Sequence, residues 1–359
     1  MTKKIIFSSG GTGGHILPTL YLMKHFFEKG YEVIVVTDKR GKKFLKNHSD
    51  FKLYVLRAET TTNKSFLKKI LSLLIIFYSI IESIIILRKE KPDLVFGFGG
   101  YVSFPISFVS KFFNLPLIIY ENNIIMGRTN KYLSFFAKKI FVAVELKNTL
   151  SKNLLNKICK VGPILAKKTF ENKYFENKNA TKNFSVLILG GSQGAEIFGK
   201  IIPPVMKKIK EAGYSIEVNQ QCIKEQKDSI KEFYNKNNIK NYLFEFDENI
   251  VKLISYANLA ITRCGASSTA ELTHILTPFI AVPLPSSIDN HQYLNAKYYE
   301  DNGCCWLLEQ DNFNVENLFN LVIEAIRNKK KLNDVIQNMK KIYIGNVYNN
   351  IENEIKEFI

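Results

Sequence analysis

Several features are missing from this 359-residue chain, and each absence removes a class of function. No Asp-x-Asp occurs anywhere, so the acidic pair that seats a divalent ion on a nucleotide diphosphate is absent. Cys159, Cys222, Cys264, Cys304 and Cys305 form no CxxC and show no metal-ligand spacing, so the expectation is no metal and no cofactor. Neither glycine-rich loop is a Walker A with GK[ST]. Neither reads GxGxxG with an acidic residue at the end of the second strand, the pair a dinucleotide-dependent dehydrogenase needs. No zinc finger, RNP aromatics or Arg-rich arm points to nucleic acid. The odd cysteine count, the adjacent Cys304 and Cys305 and the lack of a signal peptide predict a reducing, cytoplasmic setting.

An apolar fraction of 46% with 13% aromatics argues for a folded chain, long enough for two domains. Two glycine-rich loops lie 180 residues apart, each after an apolar strand and before a helix: GGTGGH at Gly10–His15 and GGSQGA at Gly190–Ala195. Backbone N–H groups without neighbouring β-carbons, at a helix N-terminus, make an anion site. Two such units predict an α/β protein with two Rossmann-like domains facing a cleft where a nucleotide diphosphate lies. Apolar runs at Lys4–Ser8, Glu32–Thr37, Lys52–Leu56, Leu94–Gly97, Leu117–Tyr120 and Lys139–Val142 read as strands of the first domain. Ser185–Leu189, Ser215–Asn219, Tyr242–Phe246, Leu259–Thr262 and Phe279–Val282 read as strands of the second. The polar stretch 166–183 reads as a linker between domains at 1–165 and 184–345. Helical patterns follow at Asn314–Lys329, Lys331–Tyr343 and Asn349–Phe358, with 346–359 expected to pack back on the first domain.

The net charge of +17 is lopsided: residues 1–160 carry 26 Lys/Arg against 10 Asp/Glu, whereas residues 161–359 carry 24 against 23. An anionic partner for the first half follows. The stretch Phe66–Glu90 is highly apolar, yet Leu71–Leu87 is short for a membrane span and contains Glu82. It reads as a helix partly buried and partly dipped into an anionic membrane surface, with lysines on the headgroups.

Chemistry-bearing residues cluster at the ends of the predicted strands. His15 begins the helix after the first loop, where the dipole disfavours its protonated form and suits it as a general base. Gly97–Ser103 (GFGGYVS) could open a second helix onto an anion. Glu121, at the carboxyl edge of the sheet, either caps Arg128, orients His15 or accepts a proton. In the second half Ser192 offers a hydroxyl and an N–H to a phosphate. The Gly265 helix adds another anion site, with Glu271 placed for ribose hydroxyls. The loop Asp289–Gln292 is rich in groups that hydrogen-bond a sugar.

Together GGTGGH with Pro18, GFGGYVS, the Glu121–Lys131 run, GGSQGA, the Arg263–Glu271 run and DNHQ followed by Asn295-Ala296 resemble the MurG family of cell-wall N-acetylglucosaminyltransferases. The resemblance spans nearly the whole chain, in order. It implies the glycosyltransferase-B fold and inverting transfer of N-acetylglucosamine from its uridine diphosphate donor to the muramoyl hydroxyl of lipid I, giving lipid II. His15 matches the catalytic base, with Glu121 beside it. Thr12, Gly13, Gly14 and Asn123 match residues lining the sugar side of the donor. Ser192 matches the diphosphate contact, and Ala266, Ser267, Ser268, Thr269, Ala270 and Glu271 the nucleoside run; Asp247 falls at the backbone contact to uracil, with Phe246 beside it to serve instead. Gln292 matches a contact to N-acetylglucosamine; His291 stands where some relatives carry Gln. Gly99, Gly100 and Tyr101 match the loop facing the lipid diphosphate.

The resemblance further implies a peripheral enzyme at the cytoplasmic face of the plasma membrane, with cell-wall or division proteins as partners. Two positions depart from the family pattern: Val161–Lys167 lacks the usual arginine, leaving Lys167 as its only cation, and Asp247 replaces an apolar residue. The alternatives are a glycosyltransferase acting on another lipid such as diacylglycerol, a uridine diphosphate sugar epimerase, and a non-catalytic scaffold.

Overall fold

Near-continuous runs of Ile, Val, Leu and Phe suit strands covered on both faces, and the structure buries them in two parallel sheets. The computed structural model describes residues 2–11, 13–45, 50–57, 66–147, 151–170, 183–191, 195–247 and 249–359. The chain forms two units, Met1–Leu165 with Ile344–Ile359, and Ala166–Tyr343.

The first unit is built on β1 (Lys4–Ser8), β2 (Glu32–Thr37), β3 (Lys52–Val55), β4 (Leu94–Gly97), β5 (Leu117–Glu121), β6 (Lys139–Val142) and β7 (Ile158–Lys160). Their order is β3-β2-β1-β4-β5-β6-β7, with every neighbour parallel. The direction of winding reverses between β1 and β4, the position where open α/β sheets bind ligands. Ile6, Ile34, Val36, Val95, Ile119 and Ile140 fill one face. On β1 and β4, Phe7 and Phe96 stack with ring centroids 5.8 Å apart, and Phe96 meets Phe141 at 5.7 Å.

The C-terminal helix Val347–Ile355 belongs to this unit. Val347, Ile351 and Ile355 are buried. Glu352 accepts from His25 Nε2 at 2.5 Å, Lys139 pairs with Glu354 at 2.7 Å, and the Tyr348 hydroxyl donates to the Leu165 carbonyl at 2.5 Å.

Helix Phe66–Glu90 has its polarity reversed over residues 71–85, before the buried Ile86 and Leu87. Ser72, Ser79 and Ser83 are buried, while Leu71, Leu73, Leu74, Phe77 and Ile85 are each at least 58% exposed. Small serines permit close packing against helix Ser103–Ser110, and two of their hydroxyls are satisfied within the helix: Ser79 Oγ donates to Ile75 O at 2.9 Å and Ser83 Oγ to Ser79 O at 2.7 Å. Only 28% of its most apolar stretch is buried.

The second unit carries β8 (Phe184–Leu189), β9 (Ile216–Gln221), β10 (Lys240–Phe244), β11 (Leu259–Thr262), β12 (Phe279–Ala281) and β13 (Cys305–Leu307), in the order β10-β9-β8-β11-β12-β13 and again all parallel. Alternate residues feed opposite cores: Val186, Ile188 and Ile261 lie on one face, Leu187, Leu189 and Ala260 on the other. The segments by which the chain enters and leaves this unit both lie on His274, whose ring is 4.3 Å from those of Phe170 and Tyr343. Burial alone holds that imidazole down to about 4.

Three expectations change. β7 and β13, three residues each at the sheet edges, were not expected. The strand expected at Tyr242–Phe246 runs from Lys240 to Phe244, because Asp247 accepts from the Tyr242 hydroxyl and from Asn249 N and closes the turn beyond it. Lys167–Phe170, placed in the linker, is a short 3-10 helix within the second unit; residues 171–182 lie outside the described residues.

Ile351→Ala should cost about 2–5 kcal/mol by opening a cavity under the returning helix. Chemical denaturation followed by the first unit's unfolding midpoint checks this, and an unchanged midpoint would mean that the helix does not belong to that core.

Candidate active site

In the first unit, the loops after β1 and β4 leave adjacent strands at the reversal point. Phe98 N donates to Ser8 O at 2.9 Å, bringing the two backbones together. His15 stands in the first turn of helix Gly13–Glu28, half-buried. A β-carbon at Gly99 would lie 3.4 Å from His15 Cε1, and one at Gly100 only 3.3 Å from the Gly10 carbonyl oxygen. Both glycines have positive φ, 76° and 73°, so the loop against the imidazole demands glycine on two counts. His15, Gly99 and Gly100 therefore share one place. Gly13 is buried, Gly14 is exposed, and Thr12 lies outside the described residues.

Glu121 is 2% exposed and ends β5. Its Oε1 accepts from Asn123 N at 3.0 Å and Asn123 Nδ2 at 3.1 Å; its Oε2 accepts from Gly127 N and Asn130 Nδ2, both at 2.9 Å. One carboxylate thus holds the whole 121–130 loop. Asn123, expected near the sugar, is fixed by this carboxylate. Asp38 directly follows β2, so an acidic residue does stand at the end of the second strand. Its oxygens accept from Gly41 N at 2.7 Å, the Tyr101 hydroxyl at 2.9 Å, Arg40 Nε at 3.3 Å and Gly11 N at 3.4 Å. These donors hold the carboxyl below its usual range against the opposing effect of burial, and occupy it with protein groups instead of ribose hydroxyls.

The second unit repeats the arrangement. The loops after β8 and β11 flank its reversal point, and Arg263 N donates to Leu189 O at 3.0 Å. Gly191 has φ 82°; Ser192 lies outside the described residues. Gly265 caps helix Ala266–His274. Within that run Thr269 and Ala270 are buried, and the Thr269 hydroxyl donates to Gly265 O and Ala266 O, both at 3.2 Å. The accessible members are Ala266, Ser267, Ser268 and Glu271. Burial pushes the Glu271 carboxyl up to about 7, with Lys168 pulling the other way. Gln292 Oε1 accepts from Cys264 N and Leu284 N, both at 3.1 Å, tying the exits of β11 and β12 together. Asn295 Nδ2 donates to Cys264 O at 3.1 Å, and His291 Nδ1 bonds Ile288 O at 2.8 Å. Phe246 is 71% exposed just beyond β10.

Arg263, quoted in its motif but given no role, is the residue the sequence hid best. It is 7% exposed, donates to Val282 O, Pro283 O and Gln310 Oε1 at 3.2, 3.1 and 2.6 Å, and lies 4.9 Å from the Phe198 ring. Its hydrogen-bond acceptors are thus two carbonyls and an amide oxygen, and burial lowers its pKa. Asp38 and Arg40 were likewise given no role, and both are joined to Tyr101 from a loop more than 60 residues away.

The N-terminal domain profile of glycosyltransferase family 28 matches residues 5–142, and the C-terminal domain profile of that family matches residues 185–350. The chain belongs to glycosyltransferase family 28. A Pelagibacter ubique relative is 36% identical over 99% of this chain and 98% of its own length. A Rickettsia canadensis relative is also 36% identical, over 94% of this chain and 95% of its own. Both are named UDP-N-acetylglucosamine–N-acetylmuramyl-(pentapeptide) pyrophosphoryl-undecaprenol N-acetylglucosamine transferase. The crystal structure of Acinetobacter baumannii MurG shares the fold with a TM-score of 0.81 at 23% identity, covering 99% of this chain and 100% of that one. The first family 28 segment lies within the first unit. The second covers most of the second unit and reaches into the returning helix.

A raised carboxyl makes a pH-dependent claim about stability. Below about 4.5 Glu271 is protonated whether the chain is folded or not; between there and about 7 folding favours the neutral acid; above 7 the full cost of a buried charge applies. That cost is on the order of 3 kcal/mol before water at the accessible edge recovers part of it. Glu271→Gln should therefore match the parent's Tm at pH 4.5 and exceed it increasingly up to pH 8. A gap independent of pH would refute the assignment.

Proposed function

We propose that this family 28 glycosyltransferase transfers N-acetylglucosamine from its uridine diphosphate donor to the muramoyl 4-hydroxyl of lipid I, completing lipid II. The observation that carries the reading is the pairing of His15 with the Gly99–Gly100 backbone at the reversal point of the first sheet. On this reading His15 is the base, beside bare backbone that an acceptor can approach. The chain's relatives at 36% identity, named for this transfer, support the same acceptor.

The acceptor oxygen forms a bond to the anomeric carbon while the bond from that carbon to the β-phosphate oxygen breaks, inverting an α donor to a β product. His15 takes the hydroxyl proton, and uridine diphosphate leaves. In the second unit the glycine loop and the Gly265 helix offer backbone donors to the departing diphosphate. Glu271 and the accessible Ala266–Ser268 stretch bind the nucleoside, Phe246 lies against uracil, and Gln292, fixed through its oxygen, keeps its amide N–H groups for the sugar. Ser192 and Thr12 complete the two loops. Glu121 contributes by fixing Asn123 and Asn130, acting through geometry and not by taking the proton.

The reading includes a membrane surface. Leu71, Leu73, Leu74, Phe77 and Ile85 on helix Phe66–Glu90, with Phe112, Tyr132 and Phe135 exposed at 63–69% nearby in the same unit, offer large side chains to an apolar phase. The excess of lysine in residues 1–160 supplies attraction to anionic headgroups. The enzyme so placed is peripheral, at the cytoplasmic face, where its acceptor lipid lies and where cell-wall or division proteins would meet it.

Two measurements test this. Labelled N-acetylglucosamine should pass from its uridine diphosphate donor to a short-chain lipid I analogue in the presence of a chelator, and His15→Ala should slow turnover by about 10²–10⁴ with donor binding retained. Donor binding without transfer to lipid I, but with transfer to diacylglycerol, would replace the acceptor; near-normal turnover of the variant would remove His15 from its role. Separately, Phe77→Asp combined with Leu74→Asp should abolish flotation with phosphatidylglycerol vesicles without lowering Tm, since both side chains are exposed. Undiminished flotation would sink the membrane assignment.

A further inference from the structure

Tyr101 was expected to face the acceptor diphosphate, but its hydroxyl is already engaged. It donates to Asp38 Oδ2 at 2.9 Å and accepts from Arg40 Nη2. Burial and the neighbouring Asp38 push the phenol up to about 12, so it remains a neutral donor at physiological pH. The group with donors to spare is Arg40. Its Nε donates to Asp38 at 3.3 Å, and its guanidinium carbon lies 5.3 Å from the centre of the Tyr101 ring. A β-carbon on Gly11 would lie 3.6 Å from its Nη2. The side chain is nevertheless 57% exposed.

A cation is thus pinned where the loop after β1, the turn after β2 and the loop after β4 come together. Gly11, Asp38 and Tyr101 mark those three segments. Asp38 does not cancel the guanidinium as a donor, because its oxygens already accept from Gly11 N and Gly41 N as well as from Tyr101. Among the described residues Nη1 has no protein partner. A planar fork with unspent N–H groups, already held in one orientation, suits paired phosphate oxygens and loses little freedom on binding them.

We propose that Arg40 holds the diphosphate of the acceptor, with Tyr101 and Asp38 as the braces that aim it. The inference rests on the lipid diphosphate acceptor argued above, and names the side chain that reads its charge. The glycine loops supply room for that diphosphate; Arg40 supplies the counter-charge. Tyr101 is on this view a positioning residue, and its contribution passes through Arg40.

The test separates acceptor from donor. For Arg40→Ala in the full chain, the KM for a short-chain lipid I analogue should rise at least about tenfold, the loss expected for a charged hydrogen-bonding group, with the donor KM unchanged within about twofold. Arg40→Lys should recover part of the loss, because the charge returns without the fork. Tyr101→Phe should shift the same acceptor KM by a smaller factor. Should Arg40→Ala fail to fold, Arg40→Gln carries the same expectation. An equal rise in both KM values, or a fall in kcat with the acceptor KM unmoved, would overturn the proposal.

A second measurement needs no turnover. Binding of inorganic pyrophosphate is measured by calorimetry with uridine diphosphate saturating the donor site, in the parent and in Arg40→Ala. Binding that depends on Arg40 in a protein that does not glycosylate lipid I would defeat the acceptor reading while leaving the diphosphate site in place. Binding that survives the substitution would defeat the site.

Discussion

Parallel strands bring all their carboxyl ends to one edge, and reversing the winding direction there drives two loops apart from neighbouring strands. In each unit that reversal falls between the first strand and the one paired on its other side, β1 with β4 and β8 with β11. The rest of the structure depends on how closely the backbones run at these two points. Phe98 bonds Ser8 and Arg263 bonds Leu189 directly, and a β-carbon at Gly10 would meet Val102 Cγ2 at 2.4 Å. A β-carbon has no room at that point, so the loop there presents bare backbone.

Around this constraint the two units divide the chemistry. The first places an imidazole against two left-handed glycines and pins a guanidinium beside them. The second lays a short helix start, a desolvated carboxyl and a bridging glutamine around its own reversal point. Buried polar groups do most of the fixing. Glu121 uses both oxygens to hold one loop, Asp38 joins three segments, and Arg263 satisfies two carbonyls and a glutamine. Each is buried and hydrogen-bonded, which is the condition under which a charge inside a protein is tolerated. In helix Phe66–Glu90, over residues 71–85, serines face inward and large apolar side chains face outward, opposite to an ordinary surface helix.

The fold was largely legible because its central strands are apolar along nearly their full length. Lys4–Ser8, Glu32–Thr37, Leu94–Gly97, Lys139–Val142 and Leu259–Thr262 fall where their composition places them. Short edge strands such as Ile158–Lys160 were not legible: a strand paired on one side needs no distinctive run, and three residues carry no period. The end of β10 was misplaced because Asp247, four residues after Leu243, closes a turn that the alternating aromatics Tyr242, Phe244 and Phe246 disguise.

Local sequence by itself determined the two glycine loops, the helix starts behind them and the placing of Glu121 at a strand end, His15 in a first helical turn and Glu271 one turn into another helix. Those follow from φ, from the missing β-carbon and from the alternation of strand and helix, all of which act over a few residues. Tertiary structure decided which of these groups remain available. It committed Glu121 to its own loop, spent the Tyr101 hydroxyl on Asp38, buried Thr269 and Ala270, and brought Arg40 to the glycine loops from outside every motif. Hydrogen-bond saturation and desolvation depend in part on neighbours as far as 63 residues away in the chain, which no run of adjacent residues encodes.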